Sequence, residues 1–256
     1  MDNVYYERFL SSIYDDTPYF GQARSREPDK FNGFYFDNLK NGSRRVLEFG
    51  PGTGMLTVPL ARAGYKLDSV DISPDMHEVL SSKLHREDPA VAANVNQILG
   101  DATTYQGPEL YESIVMPEGI LIAIPERDLQ FALLENCRRN LQPGGRLFTD
   151  FFQPRYKIIH QKVVEEHTRF ITKAGDDYLL SMTFENDEYT QIQKWHCIFT
   201  LQSGPDKGKR TEVDVMFRYL FVSEIDLMLR LAGFKVIDID TEFADRRGFA
   251  VIAEKI

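Results

Sequence analysis

Val46-Leu47-Glu48-Phe49-Gly50-Pro51-Gly52-Thr53-Gly54 is the stretch from which the rest of the chain is read. Arg45 to Phe49 reads as a short buried strand, and glycines come next at three alternate positions. An amphipathic helix is predicted after them, from Met55 through Leu56, Val58 and Leu60 to Arg62. A strand that turns through glycines into a helix brings bare backbone close to a ligand and aims helix N–H groups at it. The dinucleotide pattern G-x-G-x-x-G fits less well, because Met55 stands where its third glycine belongs. A tight turn that uses glycine for geometry alone has the same local appearance. Residues further along the chain, at fixed distances from the turn, decide between the two.

Lys66 to Asp71 reads as a second strand ending in an acid, and Asp71 lies 21 residues beyond Gly50. That is close to the spacing at which a carboxylate meets ribose hydroxyls. Ser73-Pro74 already supplies a helix cap and a first-turn proline for the helix Pro74 to His85, so Asp71 is not needed as a cap. Val95 to Ala102 reads as a third strand running into Gly100-Asp101-Ala102, where an acid can accept from an adenine amino group. Glu112 to Pro117 is the fourth strand, with Glu118-Gly119-Ile120-Leu121 as its exit loop. A helix over 127–141 ends at Leu141-Gln142-Pro143-Gly144-Gly145, and a fifth strand runs from Leu147 to Phe152.

The run E-x-G-x-G-x-G resembles motif I of the class I S-adenosylmethionine (SAM) methyltransferases, and the three later features resemble that family's hallmarks in the same order over residues 45–152. The resemblance implies SAM as cofactor, met by Glu48, Gly50, Gly52, Gly54, Asp71, Ile72, Asp101 and Ala102, with Ile72 against the adenine face. It also implies a Rossmann-like α/β fold: a seven-stranded, mostly parallel sheet with helices on both faces. Phe234–Asp240 and Phe249–Ala253 would be the final strand pair, the last one antiparallel.

Between Phe152 and a helix near Ser223 the helical rhythm breaks. His167–Thr172, Tyr178–Phe184, Thr190–Thr200 and Val213–Phe221 read as strands separated by Gly/Asp/Asn turns. This is an inserted antiparallel β-sheet lid. In the methyltransferases it resembles, amino-sugar N-methyltransferases among them, such a sheet roofs the substrate pocket. The expected organisation is an N-terminal helical cap over 1–44, a SAM-binding core over 45–152, the β insertion over 153–221, and the remainder of the core over 222–256. In the cap, Val4, Phe9, Leu10 and Ile13 suggest a helix over 3–14, and Pro18 keeps the next segment from being helical. A second helix, Lys30 to Leu39, leads through Asn41-Gly42 to the first strand. Tyr14 and Asp15 resemble a Tyr-Asp pair that closes the site over SAM in related enzymes, with Tyr19 as a second candidate.

Composition narrows the classes. The 256 residues carry a net charge of −9 and no Lys/Arg-rich run, which argues against a nucleic-acid substrate. Cys137 and Cys197 stand far apart with no C-x-x-C, as expected of free thiols in a reducing compartment. No apolar run approaches membrane-spanning length and the N-terminus lacks a signal pattern, so a soluble cytoplasmic protein without a membrane partner is expected. The five histidines show no ligand spacing, and no metal is expected.

Methyl transfer from a sulfonium needs alignment first and a base only where the nucleophile must shed a proton. Ligands of open α/β sheets bind outside the carboxyl ends of the strands. Glu118, just past the fourth strand, could orient an ammonium or act as a base; a solvated loop acid is the plain alternative. Tyr14, His167 and His196 are further catalytic candidates, and Tyr19, Trp195 and Arg218 are candidates for holding the acceptor. Alternation places Trp195 and His196 on opposite faces of the roof, and either could face the pocket. His77 and His85 fall on an outer helix and read as surface residues. The expected function is methyl transfer to nitrogen or oxygen of a small molecule. The alternatives are another SAM reaction, such as aminopropyl transfer or rearrangement, a Rossmann dehydrogenase, or a non-catalytic SAM-binding scaffold.

Overall fold

The computed structural model describes residues 8–39 and 44–256. Val4 and the Asn41-Gly42 turn lie outside them. The chain runs α1 (Arg8–Ile13), a 3-10 turn (Tyr14–Asp16), α2 (Gln22–Arg26), α3 (Pro28–Leu39), β1 (Arg45–Phe49), α4 (Thr57–Arg62), β2 (Lys66–Asp71), α5 (Pro74–Leu84), α6 (Pro89–Ala92), β3 (Val95–Leu99), β4 (Tyr111–Met116), α7 (Arg127–Asn140) and β5 (Leu141–Phe152). It continues through α8 (Tyr156–Gln161), β6 (Val163–Ile171), β7 (Asp177–Asp187), β8 (Ile192–Leu201), β9 (Arg210–Arg218), α9 (Val222–Leu231), β10 (Phe234–Asp240), a turn at Phe243–Arg246 and β11 (Gly248–Lys255).

The strands form a seven-stranded sheet of order β10-β11-β5-β4-β1-β2-β3 and a four-stranded sheet of order β6-β7-β8-β9. β3, β2, β1, β4 and β5 are parallel to one another, and β11 pairs antiparallel with both β5 and β10. Both faces of a parallel sheet are covered by helices, which is why β1 reads as a nearly unbroken apolar run. Val46, Leu47 and Phe49 are fully buried, and so is Glu48. Leu133, Leu134 and Cys137 of α7 and Ile225, Met228 and Leu229 of α9 close one core against the sheet. Tyr35 and Leu39 of α3, with Leu56 and Leu60, belong to a second.

Helix starts follow local chemistry. Ser73 Oγ accepts from Met76 N at 3.1 Å and Pro74 holds the first turn of α5, so Asp71 is indeed not its cap. Several boundaries differ from the expected ones. β5 begins at Leu141 rather than Leu147, because Tyr111 pairs with Leu141 before a register shift carries Ser113 onto Arg146. β3 stops at Leu99, leaving Gly100-Asp101-Ala102 beyond its end. The strands of the second sheet begin and end differently from their expected spans, and α2 and α8 are additions to the expected helices. Both are too short, at five and six residues, to show a 3.6-residue period.

The second sheet is an antiparallel meander with one apolar face. Leu180, Met182, Phe184, Cys197, Phe199, Val213 and Val215 pack there with Leu10 and Ile13 of α1, Ile158 and Ile159 of α8, and Phe20. The N-terminal helices thus join the second sheet to the first. Among the described residues, no helix is long and apolar enough to cross a membrane.

Candidate active site

A cavity of about 570 Å³ opens at the carboxyl ends of the parallel strands. One side of it is built from turns. Gly50, Gly52, Asp71, Ile72, Gly100, Asp101, Ala102 and Thr103 line it, at or just beyond the ends of β1, β2 and β3. The three glycines of the first turn are all left-handed in φ, yet each is there for a different reason. A Cβ at Gly50 would collide with Ile120 of the loop after β4, and one at Gly54 would collide with Leu80 of α5. A Cβ at Gly52 would meet nothing within 4 Å, and Gly52 lines the cavity. Gly54 is packed against Leu80 and, unlike Gly50 and Gly52, is not part of the cavity lining.

Asp71 is 7% exposed. Its Oδ2 accepts from Gly52 N at 3.0 Å and its Oδ1 from Ser73 N at 2.9 Å, which fixes the carboxylate against the glycine turn. Each oxygen keeps a further lone pair for a hydroxyl. Burial pushes this carboxyl above its usual range, and the two backbone N–H groups pull it back. Asp101 Oδ1 accepts from both Thr103 N and Thr103 Oγ1 at 2.7 Å, so the acid also shapes its own turn. His77 is no surface residue: its Nε2 lies 3.1 Å from Ile98 O and 3.3 Å from Asp71 O, bridging the ends of β2 and β3.

Glu48 does not line the cavity. Its Oε2 accepts from Thr57 Oγ1 at 2.9 Å and Ser69 Oγ at 2.8 Å, while Oε1 has no hydrogen-bond partner. Burial raises its pKa to about 7, against the pull of the two hydroxyls. Its position in β1 puts it behind the glycine turn, tying β1 to α4 and β2.

The opposite side of the cavity is assembled from distant segments. Tyr14, Tyr19 and Phe20 come from the N-terminal segment, Gln193 and Trp195 from β8, and Phe217 and Tyr219 from β9 and its end. Trp195 meets Phe217 edge-on at 4.8 Å and Phe20 at 5.9 Å. Alternation along β8 therefore turns Trp195 inward. His196 faces outward and pairs with Asp214 at 2.6 Å, its side chain 44% exposed. His167 is likewise exposed on edge strand β6, and neither histidine lines the cavity. Arg218 donates to the carbonyls of Pro125 and Thr190, which clamps β9 to the loop before α7 and leaves it outside the cavity lining. Tyr19 lines the cavity and donates to Glu166 Oε2 at 2.7 Å.

The N-terminal segment is pinned over the glycine turn by Asp15. Its Oδ1 accepts from Thr53 Oγ1 and its Oδ2 pairs with Lys83, both at 2.5 Å. That geometry brings Tyr14 to the cavity. The basic residues on the lining, Arg155 and Arg247, are both paired with acids: Arg155 grips Glu166 with two bonds of 2.8 and 3.1 Å, and Arg247 lies 2.6 Å from Glu27.

Glu118 lines the same cavity in a left-handed conformation (φ 58°), with Gly119 next at φ 70°. A non-glycine residue there costs about 1 kcal/mol, a kind of strain that gathers at functional sites. Arg24 Nε stands 3.2 Å from Glu118 Oε1, and Arg24 Nη2 2.8 Å from Asp150 Oδ1. Tyr35 Oη donates to the same Asp150 oxygen at 2.5 Å, and Glu118 N donates to it at 3.2 Å. Burial raises the Glu118 pKa to about 7; Arg24 opposes the rise, whereas Asp150 and Asp15 add to it. Arg24, Tyr35 and the buried role of Asp150 have no signal in the sequence. They come from three separated segments, and only the fold joins them.

Residues 46–145 match a methyltransferase domain family. The cypemycin N-terminal methyltransferase of a Streptomyces species is 27% identical over 202 residues, 78% of this chain and 76% of that one. Among solved structures, the CcbJ methyltransferase from Streptomyces caelestis superposes with a TM-score of 0.76 at 22% identity, covering 96% of each chain. SAM-bound CalS10, an amino pentose methyltransferase from Micromonospora echinaspora, does so at 0.70 and 13% identity over the full length of both. The chain thus carries a methyltransferase domain over residues 46–145 and is similar in sequence and fold to SAM-dependent methyltransferases. It is an enzyme, and S-adenosylmethionine is its cofactor.

Proposed function

We propose that the enzyme methylates an amine nitrogen of a small cytoplasmic metabolite or of a short peptide. Glu118 is the observation that carries this reading: a carboxylate on the wall of a mostly apolar cavity whose arginines are already paired. Such a pocket suits a cationic group that must become neutral before it can attack. The relative named for N-terminal methylation supports the same choice.

The residues present fit the cofactor. The space above Gly52 is open, and the Asp71 carboxylate is held beside it with lone pairs to spare. In this reading Gly50, Gly52, Asp71, Ile72, Asp101 and Ala102 hold SAM, with Glu48 bracing the turn from behind. SAM, when bound, supplies an electrophilic methyl on a sulfonium leaving group. Glu118 accepts one proton from the acceptor's ammonium, which frees the nitrogen lone pair for in-line attack. Tyr14 and Tyr19 orient the acceptor, and Trp195 and Phe217 wall it in and exclude water. Once methylated, the nitrogen carries the positive charge that the sulfonium lost, and Glu118 returns its proton to solvent. The buried, unpaired Cys137 and Cys197 suit a reducing compartment.

Incubating the purified enzyme with SAM and a panel of amino sugars and free-N-terminus peptides tests the reading. S-adenosylhomocysteine together with an amine product heavier by one methyl supports it. Turnover of hydroxyl acceptors with amines inert would overturn it.

A further inference from the structure

We infer that Arg24 is a positioning residue for Glu118. It aims the carboxylate from α2, while Asp150 competes for the same positive charge. The inference rests on the reading of Glu118 as the proton acceptor, but its geometry stands apart from that reading.

The arrangement is a buried chain of carboxylate, guanidinium and carboxylate. Arg24 is 2% exposed, and its guanidinium lies 5.3 Å from the Phe31 ring centroid and 5.9 Å from that of Tyr35. Its Nη1 donates to Asn32 Oδ1 at 3.0 Å, and Asn32 Nδ2 in turn donates to Met55 O at 3.0 Å. The guanidinium is thereby fixed in plane by α3 and the end of the glycine turn, with Nη2 donating to Asp150 and Nε 3.2 Å from Glu118 Oε1, an ion-pair contact without a hydrogen bond. A desolvated arginine cannot shed its proton, so its charge is permanent where a lysine's would not be.

Glu118 needs that support more than an ordinary surface acid does. Its backbone is held left-handed, and its N–H is tied to Asp150 Oδ1. The groups acting on its carboxylate are Arg24 and Lys83, which favour ionisation, and Asp150 and Asp15, which oppose it. Lys83 is itself bound to Asp15 at 2.5 Å. Arg24 is thus the cation in direct contact. Since α2 belongs to the same N-terminal segment that supplies Tyr14, Tyr19 and Phe20, the segment that walls the cavity also readies its carboxylate.

Two substitutions move the carboxylate in opposite directions, which a purely structural role would not do. Arg24→Gln keeps hydrogen-bonding capacity but removes the charge, and the Glu118 titration midpoint rises by about one unit or more. Asp150→Asn keeps an oxygen for Tyr35, Arg24 and the Glu118 N–H but removes the competing charge, and the midpoint falls. The readout is ¹³C NMR of protein labelled at the glutamate side-chain carboxyl carbon, titrated from about pH 5 to 9, a range that brackets the carboxyl's raised position. Glu118→Gln identifies the resonance by its disappearance, and no acceptor is needed. Asp150→Asn remains decisive should Arg24→Gln fail to fold. A midpoint that stays put or rises in Asp150→Asn, or stays put in folded Arg24→Gln, overturns the inference. Failure of the proton-acceptor reading shows elsewhere, as full turnover by Glu118→Gln.

Discussion

The two sides of the cavity are built by different rules. The side that reads as the cofactor's is made of turns at the ends of adjacent parallel strands, β1, β2 and β3, so its parts sit at fixed intervals along one stretch of chain. The other is a wall of side chains from the N-terminal segment, the loop after β4, and β8 and β9, which are neighbours only in the folded protein. Backbone geometry constrains the first; packing and charge constrain the second. Substitutions on the two sides should therefore change different measured constants, and that separation can be broken experimentally.

The largest expected effect belongs to Glu118. Glu118→Gln should lower turnover by about 10²–10⁴-fold with SAM affinity preserved. A smaller loss confined to acceptor affinity would make Glu118 a binding group only. A large loss of SAM affinity, measured by calorimetry, would place Glu118 on the cofactor side and break the division.

Glu48 tests whether the cofactor turn is braced from behind. Its pKa is raised from the ordinary 4.5 to about 7, so the folded state holds this proton more tightly than the unfolded chain. The stability it contributes is full below about pH 4.5 and is lost as pH rises through about 7, a change on the order of 3 kcal/mol. Glu48→Gln should remove that component of the denaturation free energy between those limits. A variant whose stability tracks the same pH curve as wild type would show that Glu48 does not titrate there.

Asp71→Ala should weaken SAM by roughly 1.5–3 kcal/mol through loss of charged hydrogen bonds, with the acceptor's apparent affinity little changed. Calorimetry of a folded variant that binds SAM as wild type does would sink the ribose assignment. Gly52→Ala sharpens the same point, because its methyl group would enter open space on the cavity wall and strain a left-handed turn.

The contrast also explains how much of the molecule is legible in its sequence. The mostly parallel sheet, its antiparallel last strand and the glycine turn are legible because parallel βα units repeat a local pattern, and the bounds of β1 and β2 match residue for residue. Glu48 and Gly54 belong to a motif that records which residues recur, not which way they point, and neither lines the cavity. One is buried behind the turn, and the other makes room for Leu80. Arg24 is invisible for another reason: an arginine on a five-residue helix reads as solvated until the fold buries it between Asp150 and Glu118. Arg218 looks available for an anion, yet backbone carbonyls already hold it.

The smallest effects come from two neighbours on β8, and they test the wall most directly. Trp195 and His196 are adjacent in sequence but on opposite faces of the sheet. Trp195 lines the cavity within an aromatic cluster of Phe20, Phe184 and Phe217, each ring edge-on to it at 5.9, 5.2 and 4.8 Å. Trp195→Leu keeps an apolar side chain but removes the flat wall and its edge-to-face contacts, worth about 0.5–1.5 kcal/mol per ring pair. The acceptor's apparent KM should therefore rise by roughly 3–10-fold at constant SAM affinity. His196 pairs with the exposed Asp214, and surface pairs of this kind contribute about 0–1 kcal/mol. His196→Ala should leave turnover, KM and SAM affinity within about twofold of wild type, since neither it nor its partner Asp214 lines the cavity. A His196→Ala enzyme with a large fall in turnover would mean that the outward face of the roof takes part in the chemistry, and the two-sided description of the cavity would fail with it.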